Sequence, residues 1–209
     1  MLVVVLSGRA SGLSQTVPAD TAIVHSVTES RSSARSSLLC DDFAFAGSAA
    51  WVGTRDMVVR EGRLFAAIGP GLVVLDITDP AEPVKLSETY MGGRSVRSVA
   101  VDGDLAFVRA QDTLAIFDVR DAAHPVFLGG TAITCQYGGI AEARDHVFAG
   151  CNEQLAVIDV SNPSQPTLTS EIPVPELGLK ARIVPRDALL YLAASRFEVL
   201  STVDPACQS

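Results

Sequence analysis

Apolar residues in this chain come in short runs separated by tight polar breaks. "EGRLFAAIGPG", "DGDLAFVRAQDT", "RDHVFAGCNEQ" and "RDALLYLAASR" each read turn, short apolar strand, turn. Runs of about five residues rich in Val, Ile, Phe and Ala, bounded by Gly, Asp and Asn, are too short and too closely punctuated for helices. No window between Asp56 and Val203 offers a 3.6-residue period without a Gly, Pro or Asp to break it. The pattern predicts an all-β chain.

The strands are also copies of one another. "LAVIDVSNPSQP" (Leu155 to Pro166) recurs as "LVVLDITDPAEP" from Leu72, as "LAIFDVRDAAHP" from Leu114, and in worn form as "FEVLSTVDPA" from Phe197. The aspartates that close the runs, Asp76, Asp118 and Asp159, are spaced 42 and 41 apart, and Ser201 follows 42 later. One unit, Ser95 to Gly130, parses as an inner strand "VRSVAVDG", a return strand "LAFVRA", a third "TLAIFDV" and an outer strand "PVFLGGTAI". Four antiparallel strands on a period in the low forties make one propeller blade. The expected fold is a β-propeller of about four four-stranded blades, near residues 56–93, 94–134, 135–177 and 178–209 of a repeat domain over 51–209. It is either a small ring or a piece of a larger one.

Geometry accounts for the repeated residues. Asp76, Asp118 and Asp159 stand where a strand stops, so their carboxylates can accept backbone N–H groups of the departing chain. Asp79, Asp121 and Asn162 open a β-turn, and Pro80 and Pro163 fit its next position, where φ near −65° is wanted. Pro83, Pro125 and Pro166 start the outer strand at a sheet edge, where a missing N–H costs nothing. The competing reading, a ring of carboxylates holding calcium, needs equivalent aspartates to converge, whereas the repeat sets them on third strands of different blades.

The last unit stops at "VDPACQS", before an outer strand, which leaves an edge to be covered. "TAIVHSVT", Thr21 to Thr28 in the N-terminal segment 1–50, is the candidate closing strand. The Ser/Arg-rich "ESRSSARSS" that follows reads as a flexible linker. "LVVVL" at Leu2 to Leu6 reads either as the stub of a secretory signal or as an ordinary strand. "DDFAFAGSAAWVGTRD" has the strand-like spacing of a decayed blade fragment. Of Cys40, Cys135, Cys151 and Cys207, no two stand in C-x-x-C spacing. Cys135, just before one inner strand, and Cys151, ending the return strand, lie on one face of a blade, so a disulfide between them is allowed, as are two separate thiols.

A 48% hydrophobic fraction supplies a core, and a net charge of −8 gives no basic stripe for nucleic acid. No apolar run reaches the roughly 20 residues of a membrane span. His25, His124 and His146 show no metal-ligand spacing. There is no G-x-S-x-G elbow or phosphate-binding loop, and no cofactor is implied. Residues at inner-strand starts, Arg94, Arg97, Gln136, Tyr137, Glu142 and Arg182, are the candidates for a binding face at the channel mouth.

The signature of an apolar run followed by D-[IV]-[STR]-[DN]-[PA]-x-x-P resembles the LVIVD repeat family of β-propellers. That resemblance implies a bacterial or archaeal propeller, extracytoplasmic or surface-associated, with no common catalytic set. Two functions are compatible with it: a non-catalytic module that binds a protein, glycan or envelope component, and an enzyme with its site at the channel mouth.

Overall fold

The computed structural model describes residues 53–133, 138–151, 153–175, 177, 182–193 and 197–201, together with the backbone of 2–6 and 44–49. All regular elements among them are strands. β1 (Leu2–Leu6) and β2 (Ala44–Ala49) pair antiparallel as a separate two-stranded sheet. The first blade is β3 (Thr54–Arg60), β4 (Arg63–Ile68), β5 (Gly71–Asp76) and β6 (Val84–Tyr90). The second is β7 (Val96–Asp102), β8 (Leu105–Ala110), β9 (Thr113–Asp118) and β10 (Val126–Ala132), and the third is β11 (Ile140–Ala143), β12 (His146–Cys151), β13 (Gln154–Asp159) and β14 (Thr167–Pro173). β15 (Arg182–Arg186), β16 (Leu189–Ala193) and β17 (Phe197–Ser201) form the fourth blade, which has three strands among the described residues. The chain is a four-bladed β-propeller. The proposed closing strand, residues 21–28, and the Ser/Arg-rich stretch lie outside the described residues.

In the first three blades the middle strands are buried on both faces, which explains why their sequences are continuous apolar runs rather than alternations. Phe65, Leu72 and Val74 of the first blade pack on Val99, Val108 and Phe117 of the second. Phe107, Leu114 and Ile116 of the second pack on Val147, Ala156 and Ile158 of the third, and Phe148 and Leu155 of the third on Ile183, Leu190 and Leu192 of the fourth. Odd and even positions of one strand thus serve successive interfaces. Tight hairpins join inner to return strands, with left-handed residues such as Glu61 (φ 49) and Gly62 (φ 72), or Arg144 (φ 51) and Asp145 (φ 60). Two consecutive positive-φ residues are what a type I′ hairpin requires.

The recurring dodecapeptide has the same geometry in three blades. The backbone N–H groups of Thr78, Arg120 and Ser161 donate to Asp76, Asp118 and Asp159 Oδ1 at 2.8, 3.0 and 2.8 Å. Side-chain and backbone hydrogen bonds from Thr78, Arg120 and Ser161 hold the three carboxyls below the usual carboxylate range. In the turn that follows, Glu82 N donates to Asp79 O, His124 N to Asp121 O and Gln165 N to Asn162 O, at 3.2, 3.0 and 2.9 Å. The side chains of Asp79, Asp121 and Asn162 accept from the N–H two residues on. Pro83, Pro125 and Pro166 stand immediately before β6, β10 and β14, one residue short of the outer strand rather than in it.

Candidate functional site

The four inner strands lie side by side in chain order, β3 against β7, β7 against β11 and β11 against β15. Together they line a cavity of about 960 Å³ that contains Arg55, Asp56, Arg60, Arg97, Glu142 and Arg182. Two of these arginines are aimed by backbone irregularities. The register of β3 on β4 slips between Thr54 and Asp56, and that of β7 on β8 between Val96 and Ser98. Arg55 and Arg97 are therefore the extra residues of two equivalent β-bulges, which re-aim a side chain out of the regular pleat.

A polar seam joins the inner strands beneath them. Ser98 Oγ donates to Asp56 Oδ2 at 2.5 Å, and Val99 N donates to the same oxygen at 3.1 Å. One blade further on, Ile140 N donates to Ser98 Oγ at 3.2 Å. The Asp56 carboxylate is thus engaged in tying the first blade to the second. Glu142 is half-buried; burial, then the nearby Asp102 and Asp145 charges, hold its carboxyl above the usual range, against the pull of Arg60.

Arg109 lies behind the channel. It is fully buried, and its Nη1 donates to Gly150 O at 2.7 Å and Gly138 O at 3.0 Å, both in the third blade. Its place in the return strand is held elsewhere by Ala67, Gly150 and Ala193, by the pairing register. Burial, then the neighbouring Arg97 guanidinium, pulls its pKa down to about 10, which leaves it charged at neutral pH.

Of the six residues proposed from sequence for the binding face, the cavity brings together Arg97, Glu142 and Arg182. Arg94 is exposed in the loop before β7, its Nε 4.0 Å from Asp112 Oδ1, and does not line the cavity. Gln136, Tyr137 and Cys135 lie outside the described residues. Cys151 is buried and disulfide-bonded; Cys40, Cys135 and Cys207 all lie outside the described residues. Sequence reading missed Arg55, Asp56, Arg60 and Arg109. The signal for Arg55 was present, since it stands one 42-residue period before Arg97.

His124 Nδ1 is 2.9 Å from Asp121 Oδ2 in a surface turn, and His146 Nδ1 is 2.9 Å from Arg144 O; neither lines the channel. A second concavity of about 670 Å³ opens where the third and fourth sheets diverge, lined by Phe148, Val157, Ile172 and Leu200 with His146 at its rim. Among the described residues no three His, Cys, Asp or Glu converge as a metal site, and no helix is long and apolar enough to cross a membrane.

Fold and channel define a β-propeller. Residues 53–91, 93–131 and 146–172 match the LVIVD repeat, together half of the chain, and the chain belongs to the LVIVD repeat family. The fourth copy, the worn one, lies beyond these matches. No curated protein matches the chain. Among solved structures it is similar to a functionally unknown protein from Desulfotomaculum acetoxidans, with 10% identity and a TM-score of 0.64, over 78% of this chain and 56% of that one. It is also similar to the β-propeller domain of Cps50 (Swd1) from Myceliophteria thermophila, with 15% identity and a TM-score of 0.55, over 72% of this chain and 54% of that one. The computationally designed Ika4 protein aligns with 13% identity and a TM-score of 0.53, over 73% of this chain and 95% of that one. This chain thus spans little more than half the length of either of these two natural proteins.

Proposed function

We propose that this protein is a non-catalytic, extracytoplasmic or cell-surface binding module whose channel mouth takes an acidic group of a protein, glycan or envelope component. The observation that carries the reading is the lining of the inner-strand cavity, where four arginines face two acids and one acid, Asp56, is engaged by Ser98 and Val99. Guanidinium groups set on a rigid sheet recognise carboxylate, sulfate or phosphate oxygens through paired N–H donors. The disulfide at Cys151 supports an oxidising compartment.

The test is titration of the protein with polysialic acid and alginate against neutral dextran. The acidic polymers bind, the affinity falls with added salt, and Arg97→Ala weakens binding roughly ten- to a hundredfold, the loss expected for a charge-assisted contact. Equal binding of dextran, or an Arg97→Ala variant that binds as tightly as the parent, overturns the reading. One observation favours the enzyme alternative: Glu142 is a half-buried carboxyl held above its ordinary range in the same cavity, the property of a general acid. Among the described residues no histidine lines that cavity to partner it, and Glu142→Gln leaves binding of the acidic polymers intact on the binding reading.

A further inference from the structure

The inner strands carry a hydrogen-bond relay that stops one step short. Counted back from each hairpin, Met57, Val99, Ile140 and Ile183 are equivalent, and the residues before them are Asp56, Ser98, Gly139 and Arg182. Bonds in an antiparallel pair alternate, so these four N–H groups turn away from the return strand, toward the free edge of the inner strand. Asp56 Oδ1 accepts from Met57 N at 2.9 Å and Asp56 Oδ2 from Val99 N at 3.1 Å. Ser98 Oγ accepts from Ile140 N at 3.2 Å. The first blade thus lends a side chain to the N–H of the second, and the second to that of the third. The third blade has Gly139 at that place and has no side chain to lend to Ile183.

Ile183 is 8% exposed, and a buried N–H calls for an acceptor from somewhere. Among the described residues no side chain supplies one. Its Cδ1 lies 3.4 Å from where a Cβ on Gly150 would stand, which sets Ile183 against the same stretch of the third blade. Gly138, Gly139 and Ile183 line the inner-strand cavity together with Arg97, so the gap opens into the channel. Two positive charges bear on it. Arg109 Nη1 is 3.0 Å from Gly138 O, and the Arg97 guanidinium is near enough to Arg109 to press its pKa down.

We propose that the gap at Gly139 is a carboxylate subsite, in which one oxygen of a ligand's carboxylate accepts from Ile183 N–H as Asp56 Oδ2 accepts from Val99 N, with Arg97 as counter-charge. This rests on the reading that the channel takes an acidic group, and it narrows that group to a carboxylate, the chemistry that the first seam holds at the same place. The ligand completes the relay that the third blade leaves open.

The experiment follows the Ile183 amide of the full chain by nuclear magnetic resonance during titration with polysialic acid, dextran sulfate and neutral dextran, beside calorimetric titration of Gly139→Ser. Polysialic acid moves the Ile183 amide proton downfield. Gly139→Ser, whose hydroxyl fills the gap as Ser98 does one seam earlier, keeps the parent's melting midpoint and binds polysialic acid roughly tenfold more weakly, the loss of one charge-assisted hydrogen bond. An amide that stays still while polysialic acid binds gives the gap to water and overturns the subsite, leaving the channel reading standing. Dextran sulfate that moves the amide as far, or a folded Gly139→Ser that binds like the parent, overturns it equally. Should Gly139→Ser fail to fold, the amide shift decides. Polysialic acid that binds nowhere overturns the channel reading, and the subsite with it.

Discussion

Arg109→Ala destabilises the protein by about 3–5 kcal/mol, enough to lower its melting midpoint by on the order of 10 °C. Three effects act together. A fully buried side chain is lost from the seam between the second and third blades, leaving a cavity. The carbonyls of Gly138 and Gly150, which accept from Nη1 at 3.0 and 2.7 Å, are left without that donor. Finally, the tie across the seam is removed while the apolar pairs beside it remain. Removal of a buried charge is a gain that offsets part of this, since desolvation and Arg97 already press on the guanidinium. Arg109→Met separates the contributions: it refills most of the volume yet removes the guanidinium donor to both carbonyls. Its midpoint falls between those of the parent and the alanine variant if the hydrogen bonds matter, and matches the parent if only packing does. Urea melts of the three proteins give the answer.

Gly129→Ala costs about 1–3 kcal/mol, the range for overpacking against a rigid neighbour. A methyl group on Gly129 would meet Pro163 O at 2.6 Å and the Ser164 carbonyl at 2.7 Å, and these are backbone atoms of the next blade's turn. One period earlier the same site is Ser87, whose Oγ donates to Ala122 O at 2.7 Å. The turns that follow Asp118 and Asp159 therefore dock against the outer strand of the preceding blade, by a hydrogen bond at Ser87 and by bare backbone approach at Gly129. Ser87→Ala, which removes only an exchangeable hydrogen bond, costs less than Gly129→Ala. The reverse ranking in thermal melts would show that the turn does not pack there.

The blades were legible in the sequence because one short pattern carries three constraints at once. An apolar run, an acceptor where the strand ends and a turn with fixed φ recur at 41 or 42 residues, and only a stacked architecture gives each copy the same surroundings. What escaped has one cause: residues whose role is set by the neighbouring blade leave little trace in their own. Arg109 reads in "LAFVRA" as an ordinary charged break, and its burial depends on the Gly138 and Gly150 carbonyls of the third blade accepting from its Nη1. Gly129 reads as a weak strand residue until the 161–166 turn is laid against it. Arg97 and Arg94 share the local signal of an inner-strand start, yet Arg94 lies exposed in the loop before β7, because the bulge that aims Arg97 follows from register on β8 rather than from local sequence. The gap at Gly139 was hidden too, since a glycine shows no trace of the acceptor that Asp56 and Ser98 supply at the same place.

The recurring aspartates build the corners of blades, and the proposed binding site lies apart from them at the non-repeating channel mouth. Thermal melting of the parent and of the Asp76→Asn, Asp118→Asn, Asp159→Asn triple variant, with and without millimolar calcium, tests this most directly. Each Oδ1 accepts an N–H from two residues on, and asparagine retains that acceptor. The account predicts a folded variant with a modestly lowered midpoint, undiminished binding of acidic polymers, and no calcium shift in either protein. A midpoint that rises with calcium in the parent and not in the variant would make the repeated carboxylates a site and contradict it.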